Sequence, residues 1–118
     1  MTQDPYNAEV RRRFSAPAYT GTGDISSRCS GQGVDIELFA TVEDGRIAGL
    51  RFRAYGCPHT IAACDFACEA LEGQPVSGLA AFPVDELMRT LSVPVEKTGR
   101  ILVLEDALRD LNSRLETP

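Results

Sequence analysis

The sequence predicts an α+β domain: a small antiparallel three-stranded sheet with helices packed on one face. Three observations lead there. Val34, Ile36, Leu38, Ala40 and Val42 alternate with Asp35, Glu37, Phe39, Thr41 and Glu43, the period-two pattern of a strand with one buried face. Asp44-Gly45 follows, then a second alternating run over 46–55; this dipeptide adopts the positive φ of a tight hairpin. The helical patterns all lie outside this hairpin, one before it and three after it. Strands segregated from helices make an α+β sandwich.

Taken in order, Tyr6, Val10 and Phe14 fall on one helical stripe, so the first helix spans 6–14. Arg11-Arg12-Arg13 lies mostly off that stripe and reads as a solvated face. Pro17 ends the helix, because proline disfavours helical geometry in the residue before it. Residues 19–28 read as a short strand or an extended loop, and Gly31 and Gly33 place Cys29 on a flexible, exposed turn. In the hairpin, Glu37 and Glu43 oppose Arg51 and Arg53 on the wet face. The return strand ends at Tyr55-Gly56-Cys57-Pro58. Pro58 suits the first turn of a helix, where no amide hydrogen is needed. That helix runs to about Glu72, and Gly73 takes the C′ position. Its stripe is Ile61, Cys64, Cys68 and Leu71. A short helix over 83–91 presents Leu87 and Leu91. Val93-Pro94-Val95 is a connector, and residues 100–115 form the last helix, with Leu102, Leu104, Ala107, Leu108 and Leu111 on its apolar side.

The 118 residues, 43% of them hydrophobic, fit a single domain over 1–118 with one modest core. Twelve Lys and Arg against 17 Asp and Glu leave a net charge of −5, which repels phosphate backbones and argues against nucleic-acid binding. No apolar run approaches the roughly 20 residues that span a bilayer. The start, Met1-Thr2-Gln3-Asp4-Pro5, lacks the basic and apolar regions of a signal peptide. The expectation is a cytoplasmic protein with reduced thiols.

The four cysteines are Cys29, Cys57, Cys64 and Cys68, and the only histidine is His59. Cys57 is the strongest candidate for chemistry. A cysteine where a strand meets a helix N-terminus has its thiolate stabilised by the dipole and by free amides; the competing reading is a buried structural thiol. His59, one residue into the helix, is a candidate ligand beside Cys57, although a histidine at a helix start is more often a surface residue. Cys64 and Cys68 share a stripe that faces the sheet, which makes them core. Cys29 and Cys57 both lie at sheet ends, where two thiolates can hold zinc or an iron–sulfur cluster.

These residues resemble the IscU/NifU-type iron–sulfur cluster assembly scaffolds over nearly the whole chain. Tyr6, Val10, Phe14, Pro17 and Gly21 resemble the family's opening helix and turn. Arg51-Phe52-Arg53-Ala54-Tyr55-Gly56-Cys57, continued by Ile61 and Ala62, resembles its central Tyr-Gly-Cys signature. Glu105-Asp106-Ala107 resembles the Glu-Asp-Ala of its final helix. The resemblance implies an IscU/NifU N-terminal-like fold and a scaffold, not an enzyme, that holds a nascent cluster on cysteines. It implies sulfur supply by a cysteine desulfurase and release aided by an Hsp70-type chaperone system.

Cys57 matches the family's second cysteine, and Cys29 lies near the first, although the family's Cys-Gly-Asp reads Cys29-Ser30-Gly31 here. Where the family carries His-Cys after a lysine, this chain has Gly99 and Arg100 after Lys97, and the chaperone-recognition segment is reduced to Val93-Pro94-Val95-Glu96-Lys97. The expected cofactor is therefore an iron–sulfur cluster or zinc on Cys57 and Cys29, with His59, a partner protein or a second copy of the chain completing the ligands. Cys57 and Cys29 are expected to converge near Gly99 and Arg100. Two other readings stand beside this one: a cluster-less module that docks on a desulfurase and regulates it, and a thiol protein that accepts persulfide sulfur on Cys57.

Overall fold

The computed structural model describes residues 5–116. In chain order it contains α1 (Ala8–Ser15), β1 (Ile25–Gly31), β2 (Val34–Glu43), β3 (Arg46–Tyr55), α2 (Pro58–Leu71), α3 (Val84–Thr90) and α4 (Thr98–Glu116), with single 3-10 turns at Val76–Leu79 and Val95–Lys97. The strands form an antiparallel sheet in the order β1-β2-β3. Its inner face carries Ile36, Leu38, Ala40, Leu50 and Phe52, all essentially inaccessible, against the apolar sides of α2 and α4. The α+β class and the three-stranded sheet follow the pattern of the sequence. Asp44 and Gly45 take the left-handed φ values of 53° and 74° that the β2–β3 turn requires.

Local differences from the sequence reading have identifiable causes. β1 continues through Cys29 to Gly31, and the turn is made by Gln32 and Gly33 at φ 52° and 78°. Cys29 therefore lies in a strand, opposite Ile36, and not on an exposed turn. Arg28 and Ser30 both bond to Asp35 across the strands, at 3.0 Å and 2.9 Å, which extends the pairing where a serine-rich segment shows no alternation. Glu37 does face Arg53, but Glu43 faces Arg46, and Arg51 faces Phe39; Arg51 reaches Glu72 beyond the end of α2, at 3.0 Å. The register shift between Thr41 and Val42 accounts for the change of partner near the turn.

The arginine run at α1 divides. Arg11 and Arg12 are exposed, whereas Arg13 is buried and Phe14, expected on the apolar stripe, is 46% exposed. Asp65 of α2 explains the exchange. It is 1% exposed and accepts from Arg13 Nη1 at 2.7 Å, from the Ala18 amide at 2.8 Å and from the Tyr19 amide at 3.0 Å. Arg13 also reaches Glu9 at 2.8 Å and Glu69 at 3.3 Å and lies over the Phe66 ring. This cluster ties α1 and the segment after it to α2. From there residues 19–21 pair with Phe52 at the edge of β3, and the chain crosses the outer face of the sheet close to Phe39.

Candidate functional site

Cys57 is the N-cap residue of α2, and its carbonyl accepts the first helical bond from Ile61 at 3.1 Å. Its side chain is half-buried. Sγ lies 3.5 Å from the Thr60 hydroxyl and 3.8 Å from Lys97 Nζ. Burial opposes the thiolate. The Thr60 hydroxyl and amide, Arg100 and the Lys97 ammonium outweigh it and bring the Cys57 pKa to about 7. Segment 97–100, the end of the second 3-10 turn and the first turn of α4, thus does meet Cys57.

His59 is buried, contrary to the usual surface place of a histidine in a first helical turn, at 1% exposure. The Tyr6 ring covers it, with ring centroids 4.7 Å apart, and Lys97 Nζ lies 5.2 Å from the Tyr6 centroid. Lys97 Nζ is 2.9 Å from His59 Nδ1. An ammonium only donates, so Nδ1 accepts and the neutral ring carries its proton on Nε2. Nε2 is buried and has no hydrogen-bond partner among the described residues. Burial, then Lys97 and Arg100, hold the His59 pKa down at about 4.

The other thiols are elsewhere. Cys64 and Cys68 are fully buried, as their stripe predicts, and burial pushes both thiols well above the ordinary range. Cys29 is half-buried in β1, its pKa raised by burial and by Asp110 and Asp106 of α4. Those carboxylates lie six and ten residues beyond Arg100, roughly 9–15 Å along the helix axis at 1.5 Å per residue. Nothing among the described residues brings Cys29 into contact with Cys57 as expected: Cys29 lies beside the middle of α4, and Cys57 beside its first turn. What meets the first turn of α4 is the β1–β2 turn itself, since a side chain at Gly99 would touch that of Gln32 at 3.2 Å. Because β1 runs on past Cys29, the thiol sits before the turn and not in it.

Among the described residues no three His, Cys, Asp or Glu side chains are grouped to hold a metal ion. The donors available at Cys57 are its own sulfur and His59 Nδ1, too few for a closed four-coordinate site. Sequence reasoning missed Thr60 and Tyr6. Thr60 carried a signal, since N-cap and N3 positions are neighbours in any helix start; Tyr6 carried none, because its contact is 53 residues away in sequence.

Gly56 fits this arrangement for a steric reason. A Cβ there would stand 2.9 Å from Thr60 Cβ and Cγ2, closer than packed atoms tolerate. Gly56→Ala should therefore displace Thr60, cost about 1–3 kcal/mol as an overpacking change, and raise the Cys57 pKa. Urea unfolding and the pH dependence of iodoacetamide labelling at Cys57 would measure both; unchanged labelling would show that Thr60 does not set the thiol.

A family model described as the NifU-like N-terminal domain matches residues 1–111. The chain is 27% identical over 89 residues to the mitochondrial iron sulfur cluster assembly protein 1 of Kluyveromyces lactis, covering 75% of this chain and 49% of that protein. The chain thus spans about half the length of that relative. It is 28% identical over 112 residues to iron sulfur cluster assembly protein 1 of Trachipleistophora hominis, covering 88% of this chain and 81% of that one. In fold it is similar to the N-terminal part of a NifU-like protein from Brucella abortus, with a TM-score of 0.71, 13% identity and coverage of 94% and 95%.

Proposed function

Because the chain belongs to the NifU-like N-terminal domain family, we propose that it serves iron–sulfur cluster assembly as a scaffold-type protein whose working thiol is Cys57. The observation that carries this reading is the environment of that one sulfur. Of the four cysteines, Cys57 alone is both accessible and held near neutrality by a hydroxyl and two cations. A thiolate is the form that binds iron or attacks sulfur, and here it exists in quantity near pH 7.

The cluster is cargo. Cys57 supplies one strong donor, and further ligands come from a partner or a second copy of the chain, because this site gathers no third donor of its own among the described residues. Cys29 makes no contact with Cys57, His59 or Lys97 among the described residues, so the reading rests on Cys57 alone. A cysteine desulfurase as sulfur source and an Hsp70-type chaperone system follow from the family resemblance, the chaperone less directly because its recognition segment is reduced here. The role is one of holding and handing on, and needs no catalytic turnover. No described helix is long and apolar enough to cross a membrane.

Anaerobic reconstitution with ferrous iron and sulfide, followed by visible absorption, tests this. The wild type and Cys29→Ser should develop the charge-transfer bands of a cluster, and Cys57→Ser should not. Equal bands in Cys57→Ser would overturn the reading. The scarcity of donors favours a second reading in which Cys57 accepts sulfane sulfur without metal. A one-sulfur mass gain on Cys57 after exposure to a desulfurase and cysteine, with no cluster formed on reconstitution, would establish it instead.

A further inference from the structure

We infer that the Lys97 ammonium is a placeholder for a metal cation between Cys57 Sγ and His59 Nδ1, and that zinc or ferrous iron binds this pair by displacing it. The inference rests on Cys57 being the working thiol. It adds a second ligand that the family resemblance does not supply and a residue that controls access to both.

The geometry is that of a cation held by two soft donors. Nζ lies 2.9 Å from His59 Nδ1 and 3.8 Å from Cys57 Sγ. A zinc ion in the same place would sit about 2.0–2.1 Å from the nitrogen and about 2.3 Å from the sulfur, so the nitrogen must close by about 0.9 Å and the sulfur by about 1.5 Å. Cys57 can do this by a side-chain rotation that gives up its 3.5 Å contact with the Thr60 hydroxyl, since the residue is only half-buried.

His59 needs no change of tautomer. Its ring is buried and packed at a tilt against Tyr6, and its proton is already on Nε2, which leaves the Nδ1 lone pair for a metal. Lys97 is the mobile member. Its flexible stem carries a strongly hydrated charge, and the residue is only half-buried at the end of a 3-10 turn. Departure of the ammonium returns it to water and vacates the one position that touches both donors. In the metal-free protein the ammonium keeps the thiolate and the buried Nδ1 satisfied. Two protein ligands leave two positions open for sulfide, a thiol or a donor from another chain, as suits a site that must release what it binds.

The test compares the wild type, Lys97→Met and Lys97→Met/Cys57→Ser by zinc titration against a chromophoric chelator, and by cobalt(II) titration for the thiolate-to-cobalt band in the near ultraviolet. Methionine keeps most of the length and removes the charge. Lys97→Met should bind zinc about tenfold more tightly or better, the scale expected when a charge-assisted hydrogen bond no longer competes. The added Cys57→Ser should remove both the gain and the cobalt band.

His59 is the only histidine in the chain, so its ring resonances report without ambiguity and no buried residue need be changed. Zinc should shift them in Lys97→Met and leave them in place in the double variant. Zinc binding no tighter in Lys97→Met than in the wild type would overturn the placeholder, as would tighter binding with the His59 resonances unmoved. Either result with normal cluster formation in the wild type leaves the scaffold reading standing. Loss of cluster formation with the zinc gain intact removes the scaffold reading and keeps the site.

Discussion

Asp65→Ala should destabilise the fold by about 3–5 kcal/mol, the cost of breaking a buried ion pair from one side. That is a large share of the roughly 5–15 kcal/mol that hold a domain of this size together. The side chain has three acceptor bonds, to Arg13 and to the amides of Ala18 and Tyr19. Alanine would leave both amides without their partner, and each such group costs about 1–3 kcal/mol when buried. Arg13 would keep Glu9 and Glu69, which limits the loss. Asp65→Asn retains an oxygen for the amides and should fall between the wild type and alanine. Urea unfolding of the three proteins gives the order directly, and a cost under about 1 kcal/mol for alanine would mean that Arg13 finds sufficient charge elsewhere. The consequence reaches the thiol site. Asp65 ties α1 to α2, and the chain entering α1 carries Tyr6 over His59 and Lys97, so loosening α1 should uncover His59.

That dependence on a distant carboxylate shows which features the sequence could carry. The hairpin was legible because its two faces have opposite chemistry and its turn needs positive φ at Asp44 and Gly45. The start of α2 was legible from Pro58, and the burial of Cys64 and Cys68 from their spacing. These are local signals, each complete within a few residues. The burial of Arg13 was not legible, since its partner is 52 residues away and an arginine run is ordinarily wet. The reach of β1 was not legible either. Ser26, Ser27 and Ser30 show no alternation, yet Ser27 faces inward and bonds the Ala107 carbonyl of α4 at 2.8 Å, and this strand carries Cys29 away from the turn.

At the site the division is the same. The position of Cys57 follows from a strand ending where a helix begins, but Lys97 lies 40 residues further on. Only the family resemblance, through the register of Lys97, Gly99 and Arg100, placed that segment beside it. Cys29 stands outside the turn for a physical reason: strand pairing from Gly31 to Val34 fixes the turn at Gln32 and Gly33, which begins three residues past the thiol.

Acid should weaken the fold between pH 6.5 and about 4, chiefly through His59. Burial, Lys97 and Arg100 hold its folded pKa at about 4, against 6.5 for an unhindered histidine. The unfolded chain therefore takes up a proton first. The stability that neutral His59 contributes is complete above pH 6.5 and is lost as pH falls towards 4. Each pH step of one across that window removes about 1.4 kcal/mol, so the loss is roughly 3 kcal/mol. Two other groups act in different windows. The Asp35 carboxyl, held at about 2 by hydrogen bonds from Arg28 and Ser30, matters only below its ordinary value of 3.8. The depressed Cys57 thiol contributes fully above pH 9 and loses its contribution as pH falls to about 7. Urea unfolding at pH 7, 5.5 and 4.5 should show the wild type losing stability while His59→Phe, which keeps a ring against Tyr6 and cannot protonate, stays nearly level over the same interval. Should the variant not fold, the ring resonances of the single histidine can be titrated in the wild type alone, with an expected midpoint of about 4. A midpoint near 6.5, the ordinary histidine value, would contradict the burial of His59. Once protonated, the ring stands beside the Lys97 ammonium, now 2.9 Å from Nδ1, and two cations at that distance cannot both remain. Lys97 must then leave its place beside the ring.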